Sequence, residues 1–376
     1  MQSIHLLIKP ASGLCNLRCR YCFYCDITQK REEESYGIMS LETLETIIRK
    51  TLEAAEKECT FAYQGGEPTL AGLDFFKESI RLQEKYNTKG VHINNAMQTN
   101  GIAIDDEWAK FLAENNFLVG ISVDGNKDAH DLFRVDAKGD GTWNRVQKAI
   151  RLFEKYGVQY NILTVINAVT AKKAESIYNF FRKQNYKYLQ FIPCLDPLGE
   201  EIGGHEYSLT PKLYGEFLNR MFSLWYRDVI AGKGVSIRAF DNYISMLMGY
   251  APECCGMGGS CGVQNVVEAD GSVYPCDFYV LDEYRLGNLN TDSFEQIYAK
   301  RGEKRFIEDS ILFNDECKMC PYFRICRGGC KRMRMEQEGY QYPMNYFCES
   351  YKMFFKENLP RMQALALQMR RRQRGY

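Results

Sequence analysis

Short apolar runs alternate with helical patterns from residue 3 to about residue 195, and this alternation constrains the fold more than any other feature. The runs are IHLLIKP, CTFAYQ, VHINNAMQTN, FLVGISVDG, YNILTVINA and YLQFIPC. Amphipathic stretches separate them, and the first of these begins with Ser40 as a predicted N-cap. Six strand–helix units predict a parallel sheet with helices outside it. Because a closed barrel of this kind needs eight units, we expect an α/β protein with an open, partial (β/α)6 barrel.

The remainder of the chain has a different character. Residues 205–250 predict helices, and one of them begins at Thr210 with Pro211 in its first turn. From about residue 250 glycines and cysteines are dense and helical periodicity fades, which is typical of a small core held by metal. We expect a partial-barrel domain with its following helix over 1–235, a small cysteine-rich domain over 236–348 and a C-terminal helix over 349–376.

Charge and apolar patterning exclude some function classes. Lysine plus arginine equals aspartate plus glutamate at 48 each, which argues against a nucleic-acid binder that works by bulk phosphate attraction. No stretch approaches about 18 uninterrupted apolar residues, and the N-terminus lacks a secretory-signal pattern. We therefore expect no membrane segment and a cytoplasmic location. Fifteen cysteines in that compartment indicate metal ligands rather than disulfides, and with only four histidines the metal is held mainly by thiolates.

The stretch CNLRCRYCFYC, residues 15–25, contains four cysteines. Cys15, Cys19 and Cys22 have the spacing Cys-x3-Cys-x2-Cys, and three thiolates on one short loop can bind three corners of a cubane iron–sulfur cluster. The fourth iron then has no protein ligand and is open to another molecule. The alternative is a structural zinc loop with Cys25 as the fourth thiolate, because structural zinc takes four protein ligands.

The same stretch, with Tyr21 before the third cysteine, resembles the signature of radical S-adenosylmethionine enzymes. The resemblance implies that S-adenosylmethionine chelates the open iron and yields a 5′-deoxyadenosyl radical that abstracts hydrogen from a substrate. The cofactor then supplies the radical chemistry, and the protein positions the cofactor and excludes water. Under this interpretation Cys25 is not a ligand.

Further motifs at the ends of predicted strands agree with the resemblance. QGGEP, which follows the second strand, is similar to the motif that holds the methionine amino group in the family. Ser122, in SVDG, and Arg134, at the end of HDLFR, are implied to contact the ribose and the methionine carboxylate. The implied S-adenosylmethionine site consists of Tyr21, Gly65, Gly66, Glu67, Gln98, Ser122, Arg134 and Leu195, the last packing against adenine.

A second array of cysteines lies toward the C-terminus. Its eight members are the number needed for two fully ligated four-iron clusters. An Asp-Gly turn at Gly271 predicts a hairpin that presents thiolates at both ends. The alternative is two zinc sites of four cysteines each. The eight are Cys255, Cys261, Cys276, Cys317, Cys320, Cys326, Cys330 and Cys348.

This array resembles the SPASM extension found on enzymes that modify peptides and proteins. The resemblance implies that the ligand sets of two auxiliary clusters interleave. Together with the cluster of Cys15, Cys19 and Cys22, here called the front cluster, it implies three [4Fe-4S] clusters. Cys254 neighbours Cys255 and could replace it. The first auxiliary cluster is assigned Cys255, Cys261, Cys276 and Cys330, and the second Cys317, Cys320, Cys326 and Cys348.

From about residue 4 to 350 the sequence closely resembles anaerobic sulfatase-maturating enzymes. The resemblance implies oxidation of a cysteine or serine in a Cys/Ser-x-Pro-x-Arg segment of a sulfatase to Cα-formylglycine, with an electron donor such as flavodoxin or ferredoxin. Asp277, directly after Cys276, is placed to be the base, and the adjacent auxiliary cluster is a natural electron acceptor. Tyr24 and Gln64 flank the radical site in sequence and are expected to contact the substrate.

Two alternatives stay open. One is another SPASM peptide maturase, which forms thioether or carbon–carbon crosslinks; such enzymes often carry an N-terminal domain that grips a leader peptide, for which a first strand beginning by residue 4 leaves no room. The other is a non-catalytic, cysteine-rich zinc protein, which would lack the iron, the sulfide and the brown colour of the clusters. The preference between cysteine and serine is not determined by the sequence.

Overall fold

A computed structural model describes residues 1–373 of the chain. Its central feature is a set of six parallel strands in sequential order, each formed by one of the predicted apolar runs. The predicted α/β class and partial parallel barrel are therefore confirmed. The strands are β1 (Ser3–Ile8), β2 (Glu58–Tyr63), β3 (His92–Thr99), β4 (Leu118–Ser122), β5 (Gln159–Ile166) and β6 (Tyr188–Pro193).

Helices connect the strands and cover the sheet. The predicted N-cap is present, since Ser40 Oγ accepts a hydrogen bond from Thr43 N at 3.1 Å. The helix that follows buries Leu44, Ile47 and Ile48 completely, as expected for an amphipathic helix on a sheet. The helices of this part are α1 (Phe23–Gln29), α2 (Leu41–Ala54), α3 (Leu73–Tyr86), α4 (Asp106–Glu114), α5 (Lys127–Phe133), α6 (Trp143–Tyr156) and α7 (Ala174–Lys183).

The sheet extends beyond both edges of the partial barrel. A short strand, β7 (Ser236–Ile237), pairs with β6 at one edge. At the other edge β8 (Asn265–Val267) runs parallel to β1, and β9 (Ser272–Tyr274) and β10 (Gly287–Asn288) follow in antiparallel order. The predicted hairpin around Gly271 is thus present. Because β8 lies beside β1, the ends of these two strands meet, although the paired residues are about 260 positions apart in the chain.

The remaining elements are a helical layer and a region of short pieces. The predicted helix start at Thr210 is confirmed, since its side chain accepts from Leu213 N at 3.3 Å. The predicted C-terminal helix is also present as far as residue 373, and positions 374–376 of that prediction lie outside the described residues. The elements are α8 (Pro211–Ile230), α9 (Arg238–Leu247), α10 (Cys255–Gly258), α11 (Phe294–Glu303), α12 (Asp315–Met319), α13 (Phe323–Cys326), β11 (Arg334–Met335), β12 (Met344–Asn345) and α14 (Cys348–Gln373).

The C-terminal helix α14 packs against α8 and α9. Its Phe354 and Phe355 are completely buried, and Ser350 Oγ donates to Pro211 O at 2.6 Å. This helix therefore ties the end of the cysteine-rich region to the helix that follows the barrel. Over residues 1–373, none of the helices combines the length and the apolar character that crossing a membrane would require.

Candidate active site and cluster sites

A cavity of about 240 Å³ lies at the carboxyl ends of the parallel strands. Loops that follow β1, β2, β3, β4 and β6 form its wall, together with the segment after β9. Its position is the one expected for ligand binding in a parallel α/β sheet. The wall includes every residue predicted for the front cluster, S-adenosylmethionine, the substrate and the base: Cys15, Cys19, Cys22, Tyr21, Tyr24, Gln64, Gly65, Gly66, Glu67, Gln98, Ser122, Arg134, Leu195 and Asp277.

The front cysteine loop presents partly buried thiols to this cavity. Burial raises the pKa of Cys15 to about 11 and that of Cys19 to about 12, although the Arg134 guanidinium lowers the latter. Leu17 N donates to Cys15 Sγ at 3.4 Å, and Arg134 Nη1 lies 4.0 Å from Cys19 Sγ. A metal cluster that takes these sulfurs as thiolates must therefore displace protons. Cys25 is exposed and is not among the residues that line the cavity.

The glycine pair after β2 packs tightly against the cysteine loop. Gly65 has a φ of 138°, and a Cβ added to Gly66 would lie 2.0 Å from the Leu14 carbonyl oxygen. Gly66 N donates to Ser12 O at 2.9 Å, and Glu67 N donates to Leu14 O at 2.8 Å. These positions need glycine because no side chain fits between the two loops. The motif thus holds the cysteine loop in place.

The Glu67 carboxylate is buried and already has four donors. It accepts from Thr69 N at 3.1 Å, from Thr69 Oγ1 at 2.7 Å, from Thr99 Oγ1 at 2.7 Å and from Asn100 N at 2.7 Å. Burial raises the pKa of Glu67, and these hydrogen bonds oppose that increase. Three of these donors bind Oε1 and only Asn100 N binds Oε2. Glu67 therefore joins the loops after β2 and β3, and its Oε2 keeps an acceptor position.

A buried triad fixes the arginine of the cavity. Arg134 Nε donates to Asp124 Oδ2 at 3.0 Å, and the Tyr21 hydroxyl donates to the same oxygen. Although burial lowers the pKa of Arg134, the charges of Asp124 and its neighbours raise it above its ordinary value. The Nε of the guanidinium is thus held, and Arg134 lines the cavity. Asp124 was missed as a site residue, although it lies in the SVDG motif.

Four side chains converge at the side of the cavity nearest β8 and β9. Lys9 Nζ donates to Asp277 Oδ1 at 2.5 Å, and Gln64 Nε2 donates to Oδ2 at 2.9 Å. Lys9 is completely buried, and its Nζ lies 3.7 Å from the centroid of the Tyr24 ring. The predicted Asp277, Gln64 and Tyr24 are therefore neighbours. Lys9 was missed; its only signal was an ionisable residue directly after an apolar run.

The Tyr24 hydroxyl is hydrogen-bonded to a buried ion pair. It donates to Glu268 Oε1, which also accepts from Arg31 Nη1 at 2.7 Å. The Arg31 and Glu268 side chains have no exposed surface. Because this hydroxyl is already engaged, a substrate contact from Tyr24 would come from its ring. Glu268 directly follows β8, and Arg31 lies two residues after α1. The ion pair therefore joins the segment behind the front cysteine loop to the β8–β9 hairpin.

The second predicted set of auxiliary ligands lines one cavity of its own. Its volume is about 140 Å³. Burial raises the pKa of Cys326 to about 12, and the Cys348, Cys317 and Cys320 thiolates raise it further. The four sulfurs are therefore close enough to influence one another. The cysteines in this wall are Cys317, Cys320, Cys326 and Cys348.

The first predicted set is also brought together. Burial raises the pKa of Cys330 to about 11, and the Cys255 and Cys261 thiolates add to that increase. Burial likewise raises the pKa of Cys276 well above its ordinary value, and Cys330 and Cys261 raise it further. A Cβ on Gly256, the residue after Cys255, would also lie 3.5 Å from Cys330 Cβ, so the cysteines of this set are neighbours.

Cys255 and its neighbour Cys254 face different surroundings. A Cβ on Gly262 would lie 4.0 Å from Cys255 Cβ, on the side of the first auxiliary set. The charged groups that act on the pKa of Cys254, after burial, are Arg238, Cys255 and Glu253. Cys255 therefore fits the first set better than Cys254 does.

None of these sets converges on a single point. Among residues 1–373, no three Cys, His, Asp or Glu side chains approach closely enough to hold one metal ion. A structural zinc ion would need four ligands at about 2.3 Å. Thiols arranged around a volume suit a polynuclear iron–sulfur cluster, so the donor sets fit the predicted [4Fe-4S] clusters better than zinc.

Comparison with known proteins agrees with this geometry. The family model of the radical SAM superfamily matches residues 10–181, and that of the SPASM iron-sulfur cluster-binding domain matches residues 255–321. The chain is 48% identical over 373 residues to the cysteine-type anaerobic sulfatase-maturating enzyme of Clostridium novyi (strain NT), covering 99% of this chain and 100% of that protein. It is 32% identical over 376 residues to the serine-type anaerobic sulfatase-maturating enzyme of Bacteroides thetaiotaomicron, covering 96% and 90%.

A solved structure shows the same likeness over the whole chain. Native anSMEcpe with bound AdoMet and Cp18Cys peptide superposes with a TM-score of 0.92 at 48% identity, covering 98% of this chain and 99% of that chain. The likeness therefore extends over both the parallel sheet and the cysteine-rich region. With the two matching family models and a similarity that spans nearly the whole chain, the protein belongs to the anaerobic sulfatase-maturating enzymes of the radical SAM superfamily.

Proposed function

We propose that the protein oxidises a cysteine in a Cys-x-Pro-x-Arg segment of a sulfatase to Cα-formylglycine, with serine as the second candidate substrate. The observation that carries the proposal is the position of Asp277, held by Lys9 and Gln64, in the same cavity as the three-cysteine loop. Cysteine is favoured over serine because the cysteine-type relative is 48% identical and the serine-type relative 32% identical.

The donor sets indicate which residues would hold the cofactors. Cys15, Cys19 and Cys22 would hold a [4Fe-4S] cluster with one open iron, and the two four-cysteine sets would hold the auxiliary clusters. Arg134 is prepared to meet the methionine carboxylate, because Asp124 holds the Nε of its guanidinium. When bound, these cofactors supply hydrogen-atom abstraction from the substrate Cβ and uptake of the electron that the substrate then releases.

The residues around Asp277 complete the reaction. After the substrate has lost one hydrogen atom from Cβ, it must lose the thiol proton and one electron to become a thioaldehyde. We assign the proton to Asp277, whose two oxygens are oriented by Lys9 Nζ and Gln64 Nε2. Water then converts the thioaldehyde into the aldehyde with release of hydrogen sulfide, so atoms and electrons balance.

Aromatic side chains form the apolar part of the same wall. The rings of Phe23 and Phe278 lie with their centroids 4.8 Å apart, and Met333 and Tyr24 line the cavity beside them. This wall keeps bulk water from the reacting carbon, which protects a radical from side reactions. Phe278 and Met333 come from the cysteine-rich region, so both parts of the chain build the substrate side of the cavity.

We further propose the partners and the location. The substrate is a sulfatase polypeptide, and a one-electron donor of the flavodoxin or ferredoxin class supplies the front cluster. The cytoplasm is favoured because the cysteines must remain reduced until the clusters are assembled. The two predicted domain boundaries, at 235 and 348, remain a proposal as well; the sheet is continuous across the first of them.

The test is an anaerobic incubation of the reconstituted enzyme with matched Cys-x-Pro-x-Arg, Ser-x-Pro-x-Arg and Ala-x-Pro-x-Arg peptides, followed by mass spectrometry. We expect replacement of the thiol by an aldehyde in the cysteine peptide, less aldehyde from serine and none from alanine. A product that loses only hydrogen and keeps its sulfur would indicate a crosslink and would overturn the proposal in favour of a peptide maturase.

A further inference from the structure

Arg334 contacts segments that carry ligands of both auxiliary sets and is not among the residues that line the front cavity. Its guanidinium donates only to backbone carbonyl oxygens: Nη1 to Ser310 at 2.5 Å, Nη2 to Gly329 at 2.9 Å and to Gly259 at 3.3 Å, and Nε to Gly328 at 3.2 Å. Within residues 1–373, no carboxylate forms an ion pair with it. The Phe313 ring also packs against the guanidinium, with its centroid 4.5 Å from Arg334 Cζ. A partly buried cation whose hydrogen bonds all go to peptide carbonyls calls for an explanation.

The segments that accept these hydrogen bonds carry ligands predicted for both clusters. The two adjacent glycine acceptors lie between Cys326, assigned to the second auxiliary cluster, and Cys330, assigned to the first. Gly259 lies two residues before Cys261, and the Cys261 amide donates to Ser310 Oγ at 2.8 Å. One side chain thus ties together three segments that serve the two sets.

The turn next to Arg334 is built for close approach. Arg327, Gly328 and Gly329 are consecutive left-handed residues, with φ values of 51°, 75° and 69°. A Cβ on Gly329 would lie 2.1 Å from Asn345 Nδ2. Glycine is therefore required, and the conformation keeps the carbonyls of this turn directed at the arginine.

The charge of Arg334 acts on both sets. Burial holds the pKa of Arg334 below its ordinary value, and the thiolates of Cys261, Cys330, Cys317 and Cys326 oppose that decrease. An arginine nevertheless stays protonated throughout the working pH range. A four-thiolate [4Fe-4S] cluster is an anion that becomes more negative on reduction. A fixed cation nearby stabilises the reduced form, since net charge and hydrogen bonding around a cluster set its potential.

We propose that Arg334 is a positioning residue shared by both auxiliary clusters: its planar fork fixes the ligand-bearing turns, and its positive charge raises the reduction potential of each cluster. The auxiliary clusters then accept more readily the electron that the substrate releases. This inference rests on the proposed ligand sets and does not depend on which peptide is the substrate.

The test compares Arg334→Gln, Arg334→Lys and the exposed control Arg324→Gln in the reconstituted, peptide-free enzyme. Iron content and electron paramagnetic resonance report the clusters, and an anaerobic redox titration gives their potentials. We expect Arg334→Gln to lower the potentials of both auxiliary clusters and to leave that of the front cluster unchanged. Arg334→Lys, which keeps the charge, should stay near wild type, as should Arg324→Gln.

Several results would overturn the proposal. One is an Arg334→Gln enzyme with all its clusters and unchanged potentials, and another is an Arg334→Lys enzyme whose potentials move as far as those of Arg334→Gln. If Arg334→Gln fails to assemble its clusters, the potentials of Arg334→Lys decide whether the charge matters. Loss of the clusters in both variants would mean that Arg334 only supports the fold, which contradicts the proposed effect on the potentials. Wild-type iron that accounts for fewer than three clusters would instead contradict the ligand sets, independently of the reaction.

Discussion

The front cysteine loop and the auxiliary cysteine sets use the same ligand type in opposite ways. The front loop offers three thiols and surrounds them with polar groups, among them Arg134 at 4.0 Å from Cys19 Sγ. Each auxiliary set offers four thiols, which are spread over residues 255–330 in the first set and over residues 317–348 in the second. An open iron can bind a reactive molecule, whereas a fully ligated cluster can only store and pass electrons. Under the proposed ligand sets, the number of ligands would separate chemistry from electron transfer within one chain.

The two regions also differ in how they are held. The front loop is attached to a regular parallel sheet and is fixed by the Gly66–Leu14 contact. The auxiliary sets lie on short helices and turns, with Arg334 as a shared anchor. Small cores of this kind usually need metal to be stable. We therefore expect that loss of the front cluster abolishes activity and leaves the fold intact, whereas loss of the auxiliary clusters destabilises the fold.

The largest expected effect comes from Cys19→Ala. Removing one of three front thiolates should abolish S-adenosylmethionine cleavage, because the cluster loses a corner that no other residue can supply. The auxiliary clusters should remain, and iron should fall by about one third of the wild-type content. Cys25→Ala is the matched control from the same loop and should keep wild-type cleavage. A cluster lost in Cys25→Ala would show that the loop has four ligands.

Asp277→Asn separates the two regions by function. Formylglycine should fall about 10²- to 10⁴-fold, the usual contribution of a general base, while 5′-deoxyadenosine continues to form. Chromatography of both products measures the ratio. The exposed Glu283→Gln serves as the control and should be neutral. Unchanged formylglycine in Asp277→Asn would exclude this carboxylate as the base.

Glu268→Ala tests the joint between the two regions. It leaves the Arg31 guanidinium buried without its partner, so the free energy of unfolding should fall by about 3–5 kcal/mol. The surface ion pair between Lys77 and Glu107 provides a comparison, since Glu107→Ala should leave the free energy of unfolding nearly unchanged. Anaerobic denaturant titrations of the cluster-loaded proteins measure both. Equal losses in the two variants would mean that the buried pair adds nothing.

The rate at which a chelator removes iron should differ between the front cluster and the auxiliary clusters, and this is the smallest of the expected effects. Burial raises the thiol pKa of Cys15, Cys19 and Cys330 to about 11 or 12, so proton binding competes with the clusters more strongly as pH falls. A chelator should extract iron faster near pH 6.5 than near pH 8.5, and the open front cluster should go first. Extraction that is independent of pH would contradict this competition.

Local patterns predicted much of this molecule. The six strands and the caps at Ser40 and Thr210 follow from periodicity and capping preferences, whereas the division of the C-terminal cysteines into two interleaved sets came from the family resemblance. Lys9, Asp124 and Arg334 could not be singled out, because their importance depends on contacts between distant segments. Lys9 meets Asp277 only because β8 pairs with β1, and no local pattern encodes that pairing. Cys254 and Cys255 are equivalent in spacing and differ only in the direction that each side chain takes.

The most direct test of the account uses a Cys-x-Pro-x-Arg peptide deuterated at the cysteine Cβ. In the wild type we expect one deuterium in 5′-deoxyadenosine for each formylglycine formed. In Asp277→Asn deuterium should still reach 5′-deoxyadenosine while formylglycine nearly disappears, because hydrogen abstraction precedes proton loss to Asp277. Formylglycine without deuterium in 5′-deoxyadenosine, or an Asp277→Asn enzyme that keeps the wild-type ratio, would contradict the account.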